Sequence, residues 1–144
     1  MNCIFFGHRD TPSSVKPSLI ATIKRLSQEG VTHFYVGNNG DFDFLVQGAL
    51  EELSRENPKI KYDIVLSYLG ERAISGNQSA TILPEGLEQA LPRFAISKRN
   101  EWLIKNSTIV VAYVTNTLSN CHKWVEKARK KGAEIINLAN EANT

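Results

Sequence analysis

The chain has 144 residues, of which 42% are hydrophobic and 22% charged, as in one folded domain and unlike a disordered or low-complexity chain. No apolar run approaches the roughly 20 residues of a membrane span, so we expect neither a transmembrane segment nor a secretory signal. The 17 basic and 15 acidic residues give a net charge of +2, too small for a nucleic-acid footprint by bulk charge. Nucleic acid is therefore not an expected partner.

The only two cysteines, Cys3 and Cys121, lack CxxC or Cys/His ligand spacing. We interpret both as reduced, packed thiols of a cytoplasmic protein, and we expect no metal and no cofactor. A nucleophile at the adjacent Cys121 and His122 is the less favoured alternative, because neighbouring residues rarely point at each other.

Five short runs are rich in β-branched and aromatic residues: 2–6, 32–36, 62–68, 108–114 and 134–138. Each is almost continuously apolar, which is typical of strands covered on both faces. Helical apolar stripes lie between them, over 15–26, 45–53, 94–106 and 122–131. The alternation predicts a single α/β Rossmann-like domain over 1–144, with an open, mostly parallel five-stranded sheet and helices on both faces.

The default strand order of such a sheet is 3-2-1-4-5, which places a ligand crevice between the first and fourth strands. Residues 69–91 break the alternation with a long stretch of weak periodicity. Loops of this length in compact domains are typically lids, binding loops or partly disordered, so 69–91 is a candidate lid.

The turns after the first two strands carry unusual polar residues. Gly7, His8 and Arg9 follow the first strand, where Gly7 permits a tight exit and the next two side chains can reach an anion. The second strand is followed by 37–43, a glycine-containing turn that leads into a helix and predicts a cradle of free N–H groups for phosphate or ribose. Asp41 as a helix N-cap and Asp43 as a dipole partner remain the structural alternatives.

Two further segments complete the candidate site. The turn 115–120 after the fourth strand is rich in hydroxyl and amide groups, with helix capping by Thr117 or Ser119 as its alternative. Arg93, Ser97 and Asn100 share one helical face, whereas Arg99 lies on another. The two arginines are therefore not expected to contact one small ligand in the same way, and a surface ion pair is the alternative for one of them.

The basic residues of 123–131 are interpreted as a solvated helix end, and Trp102 and Trp124 as core or subunit-interface residues. The resulting set of candidate ligand-binding residues is Gly7, His8, Arg9, Gly37, Asn38, Asn39, Gly40, Phe42, Asp43, Arg93, Ser97, Asn100, Thr115, Asn116, Ser119 and Asn120.

Several blocks of the chain occur in an order and spacing that resembles small members of the SLOG superfamily: CIFFGHRD, FYVGNNGDFD, YDIVLSYL, LPEGLE and PRFAISKRNEWLIKNSTIVVAYVT. The resemblance runs from Cys3 to Leu138. The superfamily is named for Smf/DprA-like and Lonely Guy-like proteins, and it implies a Rossmann-like fold. It also implies either a sensor of a nucleotide-derived signal in phage–bacteria conflict or a phosphoribohydrolase.

One departure weakens the enzymatic interpretation. Where Lonely Guy-like enzymes carry G-G-x-G-T-x-x-E, the window 119–126 of this chain keeps only Glu126. We therefore expect a protein that senses or sequesters a nucleotide-derived small molecule, such as ADP-ribose, a cyclic ADP-ribose-like signal or a cyclic nucleotide. The alternative is a nucleoside-monophosphate phosphoribohydrolase that uses Glu126 and Arg99. The resemblance further implies a homo-oligomer.

Overall fold

The structure, a computed structural model, describes residues 1–67, 81–82, 84 and 92–142, without the side chains of 81, 92, 93, 141 and 142. The predicted lid, 69–91, thus lies almost wholly outside the described residues. The elements in chain order are β1 (Asn2–Gly7), a 3₁₀ turn (Ser13–Val15), α1 (Lys16–Gln28), β2 (His33–Val36), α2 (Asp41–Glu56), β3 (Lys61–Val65), β4 (Thr81–Ile82), α3 (Pro92–Lys105), β5 (Ile109–Tyr113), α4 (Asn120–Lys130), β6 (Glu134–Asn137) and α5 (Leu138–Ala142).

The sheet confirms the predicted fold class. Its strands lie in the order β4-β3-β2-β1-β5-β6, and all adjacent pairs are parallel. The five predicted strands therefore take the predicted order 3-2-1-4-5. The two-residue β4 at the edge was not predicted, because two residues carry too little pattern to recognise.

Both faces of the sheet are covered, which explains the continuous apolar runs. Cys3 and Phe5 of β1 face a core shared with α1 and α2, whereas Ile4 and Phe6 face a second core shared with α3 and α4. All four side chains are buried. Since β1 lies in the middle of this two-sided sheet, its carboxyl end is fixed from both sides.

In the part of the chain that is described, no helix has the length and apolar character needed to cross a membrane.

Candidate functional site: a crevice between β1, α3 and α4

A cavity of about 500 Å³ opens beside the carboxyl end of β1. Its walls come from the end of β1, the turns after β1 and β2, the start of α2, and facing sides of α3 and α4. The lining residues are Phe5, Phe6, Gly7, Arg9, Asn39, Asp43, Ile96, Ser97, Arg99, Asn100, Leu103, Asn120, Cys121, Lys123, Trp124 and Lys127. This set is called the crevice below.

Gly7 shapes the floor of the crevice by allowing close packing. A Cβ on Gly7 would lie 2.3 Å from Cγ of Phe42, so the Phe42 ring occupies the space where any other residue would carry its side chain. Gly7 is not among the described glycines with positive φ. Its role is therefore close approach rather than the tight exit that the sequence predicted.

Backbone groups of the turn after β2 and of the start of α2 are hydrogen-bonded to neighbouring groups of the protein. The backbone N–H of Asn39 donates to Oδ2 of Asp43 at 2.9 Å, and the N–H of Asp41 donates to the carbonyl of Arg9 at 2.8 Å. Nε2 of Gln47 donates to Gly37 O and to Asn38 Oδ1. Two N–H groups expected to hold a ligand are thus already bonded within the protein.

Helix α2 begins differently from the sequence expectation. Its N-cap is Gly40, with φ 102°, and Asp41 is the first helical residue, so the prediction of Asp41 as N-cap is wrong. A Cβ on Gly40 would lie 2.8 Å from Cα of Arg9, so the close approach of the two turns also favours glycine. Asp43, only 7% exposed, caps the N–H of Asn39 from inside the helix.

Arg99 is the most deeply placed cation of the crevice. It is 4% exposed, and its Nε and Nη2 donate to Oδ1 of Asn100 at 3.3 and 3.2 Å. A Cβ on Gly37 would lie 2.8 Å both from Nη1 of Arg99 and from Oδ2 of Asp43, so both side chains pack over the space that a side chain at this position would need. The alternative of a surface ion pair does not hold for Arg99, because α3 packs this side chain inward.

The mouth of the crevice combines cations with an aromatic ring. Nη2 of Arg9 donates to Oδ1 of Asn39 at 2.9 Å, and Lys123 is exposed on α4. Nζ of Lys127 lies 5.2 Å from the centroid of the Trp124 ring and 3.6 Å from Glu101. Among the described side chains, four cations, Arg9, Arg99, Lys123 and Lys127, therefore line the crevice together with one carboxylate, that of Asp43.

Of the α4 side chains that line the crevice, only Asn120 was predicted from the sequence as a site residue. Residues 120, 123, 124 and 127 share one helical face that lines the crevice. The basic run of α4 was interpreted only as a solvated helix end, and Trp124 only as a core or interface residue. Trp124 does pack against Phe6, at 6.4 Å between ring centroids, but it also forms part of the crevice wall.

Further predicted site residues lie in the turns that follow β1 and β5, namely His8, Thr115, Asn116 and Ser119. His8 accepts the N–H of Thr115 and contacts Cys121, which lines the crevice. Thr115 lines a second cavity of about 450 Å³ on the other side of α4. Asn116 forms the turn before α4, and Ser119 caps that helix by accepting the N–H of His122 at 3.3 Å, as the sequence allowed.

Arg93 and Glu126 are two further residues named in the sequence analysis. The backbone of Arg93 belongs to α3, but its side chain is among those not described. Glu126 lines the second cavity and pairs with Arg129, whereas Arg99 lines the crevice. The structure therefore does not bring together Glu126 and Arg99, the pair proposed for phosphoribohydrolysis.

Metal ligands are not assembled in the described part of the chain, where no three His, Cys, Asp or Glu side chains come together. Burial raises the pKa of Cys121 above its ordinary value. Burial likewise raises the pKa of Cys3, which is fully buried in the core.

Comparison with solved structures finds a protein of similar fold. No protein-family model and no curated protein matches the chain. The fold is similar to that of DNA processing protein A from Helicobacter pylori, a solved structure described as showing a single-stranded DNA binding mode. The TM-score is 0.57 at 14% identity, and the match covers 99% of this chain and 79% of the other. This likeness establishes a shared Rossmann-like fold.

The comparison corrects the partner expectation from the sequence. A nucleotide-derived small molecule was expected and nucleic acid was not, chiefly because the net charge is +2. That expectation is wrong: a protein with this fold is described as binding single-stranded DNA. The charge of the whole chain does not report the charge of a local surface, and four cations among the described side chains line one crevice here.

Proposed function

We propose that the crevice binds single-stranded nucleic acid, with one nucleotide in the cavity and the neighbouring phosphates on the cations at its mouth. The observation that carries this proposal is the placement of Trp124 beside Arg9, Lys123 and Lys127 around one cavity of about 500 Å³. Grooves for single strands typically combine cations that follow the backbone with an aromatic platform for the bases. The likeness to DNA processing protein A supports the same class of partner.

The energies favour a base on Trp124 over the contact present without a ligand. The cation–π contact of the half-exposed Lys127 with Trp124 contributes about 0.5–1 kcal/mol, whereas a stacked base contributes about 1–3 kcal/mol. A base would therefore displace Lys127 from the ring. The Lys127 ammonium would keep its ion pair with Glu101, 3.6 Å away, and could turn from the ring toward a phosphate.

The proposal is tested by fluorescence anisotropy with a labelled single-stranded oligonucleotide. We expect Lys123→Glu to weaken binding about tenfold or more, since a charged contact of about 1.5–3 kcal/mol is replaced by repulsion. Lys130→Glu makes the same charge change on the same helix but outside the crevice, so it should retain most of the affinity. Equal losses in both variants would contradict a localised site.

A competition experiment distinguishes binding of single-stranded nucleic acid from binding of a small molecule. ADP-ribose, cyclic ADP-ribose isomers and mononucleotides are added to the bound oligonucleotide, and duplex DNA is added separately. We expect the single strand to bind more tightly than any of these competitors. Tight binding of a small molecule without binding of the strand would contradict the proposal and restore the sequence-based expectation of sensing or sequestration. We place this binding activity in the cytoplasm, as the two free cysteines suggest.

A further inference from the structure

A thiol, an imidazole and a hydroxyl meet at the edge of the crevice from three separate segments. His8 follows β1, Cys121 lies in the first turn of α4, and Ser119 caps that helix. Sγ of Cys121 lies 3.2 Å from Nδ1 of His8 and 3.2 Å from Oγ of Ser119. No spacing in the sequence predicts this cluster, because His8 and Cys121 are 113 positions apart.

The backbone fixes the tautomer of His8. The N–H of Thr115 donates to Nε2 of His8 at 2.8 Å, so this nitrogen is an acceptor. In a neutral imidazole the proton must then lie on Nδ1, which faces the sulfur of Cys121. His8 thus donates to sulfur and is not placed to remove the thiol proton.

The direction of the Ser119 contact follows from its other bonds. Oγ of Ser119 donates its one proton to the carbonyl of Asn116 at 2.6 Å and accepts the N–H of His122. The thiol of Cys121 must therefore donate to Oγ. When the thiol ionises, its sulfur keeps the N–H bond from His8, and the backbone N–H groups of Cys121 and His122 at the start of α4 also favour the thiolate.

The surroundings of the sulfur point to an anionic partner. Cys121 lines the same cavity as Arg9, Lys123 and Lys127, and the cavity has room for a small peptide beside the sulfur. Cys3, the other thiol, is 0% exposed in the core. A negatively charged reagent should therefore concentrate at Cys121 and should not reach Cys3.

We propose that Cys121 is a modification site for an anionic low-molecular-weight disulfide of the glutathione disulfide type. The Cys121 thiolate attacks one sulfur of the disulfide, the S–S bond breaks, and its electron pair leaves on the other sulfur as a thiolate. Cys121 is oxidised to a mixed disulfide, and the departing half is reduced and takes up a proton from water. The adduct fills the crevice; that it thereby blocks the strand rests on the proposed function.

Intact-mass measurement with peptide mapping tests the modification itself. Glutathione disulfide should add one glutathionyl group, at Cys121, and react at least about threefold faster than cystamine, a cationic disulfide. Lys123→Glu should narrow or reverse that preference, whereas Lys130→Glu should keep it. Reaction only after unfolding, or an equal or faster reaction with cystamine, would overturn the proposal.

A pH series tests the role of His8 as a positioning residue. Because burial raises the pKa of Cys121, the rate should keep rising with pH above the range where an exposed thiol levels off. His8→Ala removes one N–H donor to the sulfur, so the midpoint of the pH–rate curve should move to still higher pH. The modification rate should be about fivefold lower at neutral pH and unchanged once the thiol is fully ionised. An unchanged midpoint would remove His8 from the proposal.

The effect on binding has a separate readout. Modified protein should bind the single-stranded oligonucleotide at least about tenfold more weakly, and a reductant should restore binding. If unmodified protein does not bind the strand, the proposed function fails while the mass result still decides the modification. If modified and unmodified protein bind alike, closure of the crevice is contradicted.

Discussion

The turn after β2 and the crevice-facing side of α4 use their polar residues in opposite ways. In the turn, the N–H of Asn39 is bonded to Asp43 and the N–H of Asp41 to the carbonyl of Arg9. On α4, Asn120 and Lys123 are exposed at the cavity wall. The turn resembles a ligand cradle in sequence but stabilises the fold, whereas the plainer helix supplies groups that a ligand can contact.

This difference has a simple physical origin. A tight turn before a helix has several N–H groups without helical partners, and the nearest carboxylate or carbonyl satisfies them. At the start of α4 the cap residue Ser119 meets this need by accepting the N–H of His122, so the side chains of Asn120 and Lys123 can face the cavity. Substitutions in the turn region should therefore change stability, whereas substitutions on α4 should change binding.

The largest effect is expected for Gly7→Ala. The added Cβ would lie 2.3–2.8 Å from three atoms of the buried Phe42, so the ring must move, and the free energy of unfolding should fall by about 3 kcal/mol. Urea denaturation measures the change. Gly48→Ala is the matched control, because this exposed glycine of α2 has nothing within 4 Å of its added Cβ and should gain about 0.5–1 kcal/mol. Equal stability of Gly7→Ala and the parent would contradict the packing argument.

A smaller loss of stability is expected for Asp43→Ala. The variant leaves the N–H of Asn39 without its carboxylate, and unfolding free energy should fall by about 2 kcal/mol. Asp41→Ala, at an exposed position of the same helix turn, should lose only about 0.5 kcal/mol. Oligonucleotide affinity of folded Asp43→Ala should stay within about threefold of the parent. A tenfold or larger loss of affinity would make Asp43 a ligand contact and would erase the distinction between the turn and α4.

Trp124→Leu tests the opposite side of the comparison. Leucine keeps an apolar contact with Phe6 but removes the aromatic face, so single-strand affinity should fall about tenfold while the fold persists. Trp102→Leu is the control on α3, since Trp102 packs edge-on against Tyr35, 5.3 Å away, and does not line the crevice. Similar affinities of the two variants in an anisotropy titration would remove Trp124 as a base platform.

The sequence was most informative where a pattern repeats over a whole element. Continuous apolar runs such as 2–6 and 108–114 predicted strands covered on both faces, and topology then predicted the strand order and the position of the crevice beside β1. Pairing of individual polar groups could not be predicted. Whether the N–H of Asn39 faces a ligand or Asp43 depends on an ångström-scale approach that no spacing encodes.

The crevice-facing side chains of α3 and α4 could be predicted only in part. The spacing of Lys123, Trp124 and Lys127 on one face of α4 was readable, but a charged helix end is usually solvated, and only the docked position of α4 turns this face toward the crevice. Arg99 was placed on a different face from Ser97 because one stripe was expected to face the ligand. The crevice instead takes in a wider arc of α3 that includes Ser97, Arg99 and Asn100.

Glu126→Gln should have the smallest effect, and it tests whether the two sides of α4 differ in function. Glu126 lies about one turn from Lys123 and directly precedes Lys127, but it lines the second cavity, where its carboxylate pairs with the exposed Arg129. Exposed pairs contribute about 0–1 kcal/mol, so unfolding free energy should fall by about 0.5 kcal/mol and single-strand affinity should change by less than about twofold.

Chromatography of nucleoside monophosphates incubated with the protein supplies the decisive readout, because an acid/base residue would lose about a hundredfold or more in turnover on this substitution. Release of free base by the parent and its loss in Glu126→Gln would place chemistry in the second cavity. Without such release, α4 presents a binding face to the crevice and a structural ion pair on its other side.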